Sequence, residues 1–71
     1  MPIIEVTLTE GRTPEQLRGL ITGLTEATMA AIGAPKRSVR VIIREVPTSH
    51  FAAGDVTIAE RRQAERSQSD D

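Results

Sequence analysis

Apolar and polar residues alternate at the start of the chain, and the period then lengthens. Over residues 2–9, Ile4, Val6 and Leu8 fall on one side and Ile3, Glu5, Thr7 and Thr9 on the other, which is the two-residue repeat of a strand. Glu10-Gly11-Arg12 breaks the pattern as a tight connection. A helix start follows, with Thr13 as N-cap, Pro14 at the first helical position, Glu15 in the first turn and Gln16 completing a capping box. Leu17, Leu20, Ile21, Leu24, Thr28, Ala31 and Ile32 recur at helical spacing, and Gly33 with Pro35 ends the run. Gly19 and Gly23 weaken the interior by roughly a kcal/mol each relative to alanine, unless close packing against them compensates. Alternation returns over residues 38–46: Val39, Val41 and Ile43 point one way, Arg40, Ile42 and Arg44 the other. Strand, long helix and strand make a βαβ unit, so the two strands are predicted to be parallel with a right-handed crossover.

Beyond Pro47 the pattern loosens. Residues 48–55 read as a loop, and Val56-Thr57-Ile58-Ala59 as an edge strand or short hairpin. A helix capped at Thr57, with Glu60 three residues on, competes with that reading. Residues 61–71 carry charges and serines without an apolar face and are expected to form a frayed polar tail. The expectation is an α/β (α+β) domain over residues 1–60, a single βαβ unit plus a C-terminal hairpin or edge strand, followed by that tail.

Such a unit is unfinished. One helix covers one face of two strands, while the face carrying Ile3 and Ile42 and both sheet edges need partners. A chain of 71 residues seldom draws more than a few kcal/mol from its own core and ordinarily needs a staple. Cysteine is absent, His50 is the only histidine and Phe51 the only aromatic residue, which leaves neither disulfides nor a zinc cluster. Homo-oligomerisation is the remaining staple. Nine basic against ten acidic residues, with no aromatics for base stacking, argue against nucleic acid as a partner. No apolar run approaches the roughly 20 residues of a membrane span, and the N-terminus lacks the pattern of a signal peptide. A cytoplasmic protein without a membrane partner is the expectation.

The candidate chemistry begins at Pro2. Initiator methionine is usually trimmed before a small residue, so the mature chain is expected to start with proline, a secondary amine at the head of a strand. An ordinary α-amino group has a pKa of about 8, and an apolar pocket lowers the more basic proline nitrogen towards the range a general base needs. Met-Pro is by itself a common start, and proline suits the first position of a strand. The rest of the chain changes the weight of this hint. Pro2-Ile3, the Glu10-Gly11-Arg12 turn, the Ser38-Val39-Arg40-Val41-Ile42-Ile43 run and His50-Phe51 occur in order on a βαβ unit. From Pro2 to about Ile58, the chain resembles the 4-oxalocrotonate tautomerase family, the small-subunit branch of the tautomerase superfamily.

The resemblance implies a cofactor-independent, metal-free isomerase acting on small unsaturated 2-hydroxy or 2-oxo acids, with 2-hydroxymuconate as reference substrate. It implies a hexamer, a trimer of dimers, with sites at subunit boundaries. Pro2 matches the catalytic base and Arg12 the residue that binds the distal carboxylate. Arg40, from a neighbouring subunit, matches the residue that grips the 2-oxo acid end, and Phe51 the aromatic that keeps the pocket dry. Thr9 stands at the pocket mouth, where the family often has an apolar residue. The chemistry is consistent: moving a proton next to a carbonyl needs a base, a donor for the developing oxyanion and an anchor, and guanidinium forks suit the last two.

Plainer roles compete at each position. Arg40 and Arg44 are each ordinary as solvated or ion-paired strand charges, Phe51 as core and His50 as a loop residue. Arg12 gains nothing from the helix dipole, which disfavours a cation there, so a purely structural role suits it less. The stretch after Phe51 is Ala52-Ala53-Gly54-Asp55, less free to adopt positive φ than a glycine-rich loop. Ala53 occupies the place where hydratase and dehalogenase relatives carry a carboxylate, which favours isomerisation over hydration. Hydration, dehalogenation, decarboxylation or a biosynthetic step on the same scaffold remains the alternative. So does an inactive assembly, since retained Met1 would make the Pro2 nitrogen an amide.

Overall fold

The computed structural model describes residues 1–69. Strand β1 (Ile3–Thr9) leads to helix α1 (Pro14–Ile32), a 3₁₀ turn (Lys36–Ser38) and strand β2 (Arg40–Val46). The two strands pair in parallel, in register from Ile3 opposite Arg40 to Thr9 opposite Val46. The expected βαβ unit is therefore present. Thr13 caps α1 as the sequence predicts: its hydroxyl accepts the Gln16 amide at 3.1 Å, and the Gln16 side chain accepts the Thr13 amide at 2.9 Å. At the other end the Gly33 amide donates to the Met29 carbonyl at 2.9 Å.

The inward faces of both strands, Ile4, Val6, Leu8, Val41 and Ile43, are half-buried. On α1 the half-buried stripe holds Leu17, Leu20, Ile21, Leu24 and Thr28 as expected, together with Thr25 and Met29. Thr25 and Thr28 tolerate this apolar face because their hydroxyls donate to the Ile21 and Leu24 carbonyls, each at 2.8 Å. Ala31 and Ile32 depart from the expectation: both are exposed, Ile32 by 67%. A helix of 19 residues is about 28 Å long and seven-residue strands about 23 Å, so the last turn outruns the sheet.

The second strand starts two residues later than its alternation suggests. Ser38 donates both its amide and its hydroxyl to the Pro35 carbonyl, at 2.9 and 2.8 Å, and the Val39 amide donates to Lys36. Those groups are spent on the turn before the ladder begins at Arg40. The outer sheet face carries Ile3, 55% exposed, Ile42, 42% exposed, and an ion pair between Glu5 and Arg44 at 3.6 Å.

After Val46, a second 3₁₀ turn (Thr48–His50) precedes a small antiparallel hairpin of β3 (Ala52–Ala53) and β4 (Val56–Thr57). Its two-residue loop, Gly54-Asp55, has φ values of 58° and 68°, the left-handed pair that a tight hairpin of this twist requires. Asp55 thus takes a positive φ, which Asp tolerates better than most L-residues though less freely than glycine. Helix α2 (Ile58–Ser69) follows directly, capped at Thr57 by Glu60, so the two competing readings of this stretch are both realised, one after the other. The stretch expected to fray from residue 61 is helical through Ser69, because the cap is followed by strong helix formers. Asp70 and Asp71 lie outside the described residues.

Candidate active site

The expected site residues fall into two groups, at opposite ends of the parallel pair. Pro2 is half-buried at the head of β1, and its carbonyl accepts the Arg40 amide at 3.0 Å. This bond extends the ladder by one step and places Arg40 beside Pro2 in the same chain. The Arg40 guanidinium is turned to the Arg37 carbonyl, to which Nη1 donates at 2.6 Å. Met1, which precedes Pro2, is 76% exposed.

At the far end, the Glu10 amide donates to the Val46 carbonyl at 2.9 Å and closes the ladder. Gly11 then adopts a φ of 127°, in the region that favours glycine, and the chain turns back on itself. Arg12 folds over Thr9: its Nη1 donates to the Thr9 carbonyl at 2.8 Å and to the Thr9 hydroxyl at 3.1 Å. Phe51, 40% exposed, follows the end of β2 after the second 3₁₀ turn, and its carbonyl accepts the Ile58 amide at 2.9 Å.

Seven-residue strands put these two groups about 20 Å apart. Arg12 and Thr9 are joined, and Pro2 and Arg40 are joined, but one protomer does not bring the pairs together. A muconate-sized acid cannot span that distance. The sequence did not signal two features: the Arg37 carbonyl as a resting place for Arg40, and the Thr9 hydroxyl as a ligand of Arg12. Side-chain hydrogen bonds over three residues in irregular backbone leave no periodic trace. Arg44 is paired with Glu5 across the strands, and His50 closes a turn by donating its amide to Pro47.

Among the described residues, no group of three or more His, Asp or Glu side chains could hold a metal ion. No helix among the described residues is long and apolar enough to cross a membrane. An open groove beside α2, lined by Thr48, Ala59, Arg62 and Gln63 among others, contains none of the expected site residues.

The family described as "Tautomerase enzyme" matches residues 2–61. A probable tautomerase of Ralstonia nicotianae is 55% identical over 56 residues, 79% of this chain and 80% of that protein. A 2-hydroxymuconate tautomerase of Stutzerimonas stutzeri is 46% identical over 54 residues, 76% of this chain and 86% of that protein. Among solved structures, TomN, a 4-oxalocrotonate tautomerase homologue in the tomaymycin biosynthetic pathway, superposes with a TM-score of 0.86 at 42% identity, covering 87% of this chain and 95% of that one.

Proposed function

The chain belongs to the tautomerase family, and on that premise we propose that it moves a proton within small unsaturated 2-hydroxy or 2-oxo acids of the 2-hydroxymuconate type. Pro2, freed by removal of Met1, is the general base. It takes the proton from the 2-hydroxyl of a dienol acid, or from a carbon conjugated with the carbonyl of a 2-oxo acid. Negative charge rests on the 2-oxygen and the conjugated carbons, and the resulting prolinium gives the proton to a carbon further along the chain. Arg40 of a neighbouring subunit stabilises that oxygen, Arg12 holds the distal carboxylate, and Phe51 excludes water so that the proline stays unprotonated. Thr9 lines the mouth beside Arg12. The observation that carries this reading is the position of Pro2, half-buried at the head of β1, where removal of Met1 would leave its nitrogen as the chain terminus.

The division of the site between two ends of the sheet supports an assembly in which one subunit's Pro2 end meets another's Arg12 end. A homohexamer, built as a trimer of dimers, is the arrangement we propose. The relationship to a homologue from a biosynthetic pathway favours one variant of the same reading, in which the same proton transfer serves a different acid. Ala53, where a water-activating carboxylate would stand, argues against hydration.

The test begins with the intact mass of the protein from its native host, which should lack one methionine. Ultraviolet assays of 2-hydroxymuconate ketonisation then compare variants. Pro2→Ala is expected to lower kcat by about 10²–10⁴-fold, Arg40→Ala to lower it by about 10²–10³-fold, and Arg12→Ala mainly to raise KM. Uniform retention of Met1, or full activity in Pro2→Ala, would remove the proline-base mechanism.

A further inference from the structure

We propose that Thr9 is a positioning residue that fixes the Arg12 guanidinium, so that its free edge selects dicarboxylates over monocarboxylates. This inference rests on the functional reading above and adds the reason for its substrate class. Arg12 immediately precedes the N-cap of α1, where the helix dipole repels a cation. A long, exposed side chain at such a place needs a tether. The tether is Thr9, whose carbonyl and hydroxyl both accept from Nη1, at 2.8 and 3.1 Å. Gly11, at a φ of 127°, provides the turn that brings residue 12 back over residue 9.

The chemistry of the tether follows from counting donors. A guanidinium has two N–H groups on Nη1, two on Nη2 and one on Nε. Thr9 offers Nη1 two acceptors, while Nε and Nη2 have no acceptor among the described residues. What remains is the side-on edge, a planar fork that matches the two oxygens of a carboxylate. The field that disfavours Arg12 at the helix start favours the anion it would carry. An apolar residue at position 9 would keep the carbonyl acceptor and lose the hydroxyl, leaving Nη1 on a single bond and the fork free to swing. The hydroxyl therefore acts through Arg12 and not on the reacting atoms.

The experiment compares wild type, Thr9→Val and Thr9→Ser on 2-hydroxymuconate and on the monocarboxylate 2-hydroxy-2,4-pentadienoate. Thr9→Val, nearly isosteric, is expected to raise KM for the dicarboxylate about five- to tenfold, the scale of one ordinary hydrogen bond. Its kcat should stay within about twofold, and its KM for the monocarboxylate should not move. Thr9→Ser should restore the wild-type KM. An unchanged dicarboxylate KM, an equal rise for both acids, a parallel fall in kcat or failure of serine to rescue would each overturn the proposal. A second readout needs no turnover: the ¹⁵Nε–H signal of Arg12, assigned by its loss in Arg12→Lys, should exchange faster with solvent in Thr9→Val. Should wild type turn over neither acid, the functional reading fails. The tether then stands or falls on whether that signal changes.

Discussion

The fold tunes the ionisation of Glu60. Its Oε1 accepts the Thr57 amide at 3.0 Å while its own amide donates to the Thr57 hydroxyl at 3.0 Å, and the backbone bond first, then the side-chain bond, holds its pKa below the ordinary value. A pKa depressed by folding means that the contribution is present above the unfolded carboxylate range, near about 4.3, and is lost as pH falls through the folded value. Acidification is therefore expected to release the Thr57 amide and fray the start of α2, read by hydrogen exchange at Thr57. Glu60→Gln should cap without that pH dependence; an identical acid transition in the variant would reject the assignment. Asp55 gives a second case. It holds φ at 68°, a conformation costing an ordinary L-residue about 1–2 kcal/mol, so Asp55→Val is expected to lower stability by about that amount and Asp55→Gly not to. Denaturant melts would decide it. At this scale the sequence was only partly legible. The family resemblance named Thr9 and Arg12 as candidate site residues, but not the bond between them, because that bond depends on a Gly11 turn and a rotamer that no spacing rule encodes.

The elements were more readable than the contacts. Alternation located β1 and most of β2, and the Thr13-Pro14-Gln16 signature located the start of α1, because each is a local rule about which backbone groups lack partners. Errors came where a non-local limit or a competing cap intervened. The hydrophobic period continued to Ile32 although the sheet beneath is too short, and the polar segment after residue 60 looked unstructured because it has no apolar face, while Thr57 and Glu60 start a helix regardless. The glycines of α1 provide a direct test. A methyl group built at Gly19 or Gly23 meets nothing within 4 Å in the protomer, so no close packing there offsets their poor helix propensity. Gly19→Ala and Gly23→Ala are each expected to stabilise by about 0.5–1 kcal/mol. Loss of assembly on either substitution, seen by light scattering, would place a subunit contact on that face instead.

The whole protomer does not satisfy its own surface. None of its described residues is fully buried, and its radius of gyration is 16.5 Å against about 11 Å for a globular chain of this length. It exposes 5441 Å², whereas a monomer of 7.7 kDa exposes about 4,300 Å². The excess, about 1,100 Å², exceeds the roughly 800 Å² each partner contributes to a standard interface. Ile3 and Ile42, which share the open sheet face with the Glu5–Arg44 pair, are exposed apolar residues that such a contact would cover. Ile42→Asp is therefore expected to dissociate the assembly and, for want of a core, to unfold the chain; a folded monomer by circular dichroism and light scattering would contradict this. The same geometry bears on the proposed active site. Pro2 and Arg12 stand about 20 Å apart along β1, so under the proposed assignment the two that serve one substrate would come from different chains. Assayed at a substrate concentration far below the raised KM of Arg12→Ala, where both variants turn over slowly, Pro2→Ala and Arg12→Ala should complement when unfolded together and reassembled, because a Pro2 from one chain then meets an Arg12 from the other. Random mixing makes about a quarter of the sites complete, so about a quarter of wild-type activity is expected to return. A site drawn from one chain would return none, and the mixture would stay as inactive as its parts.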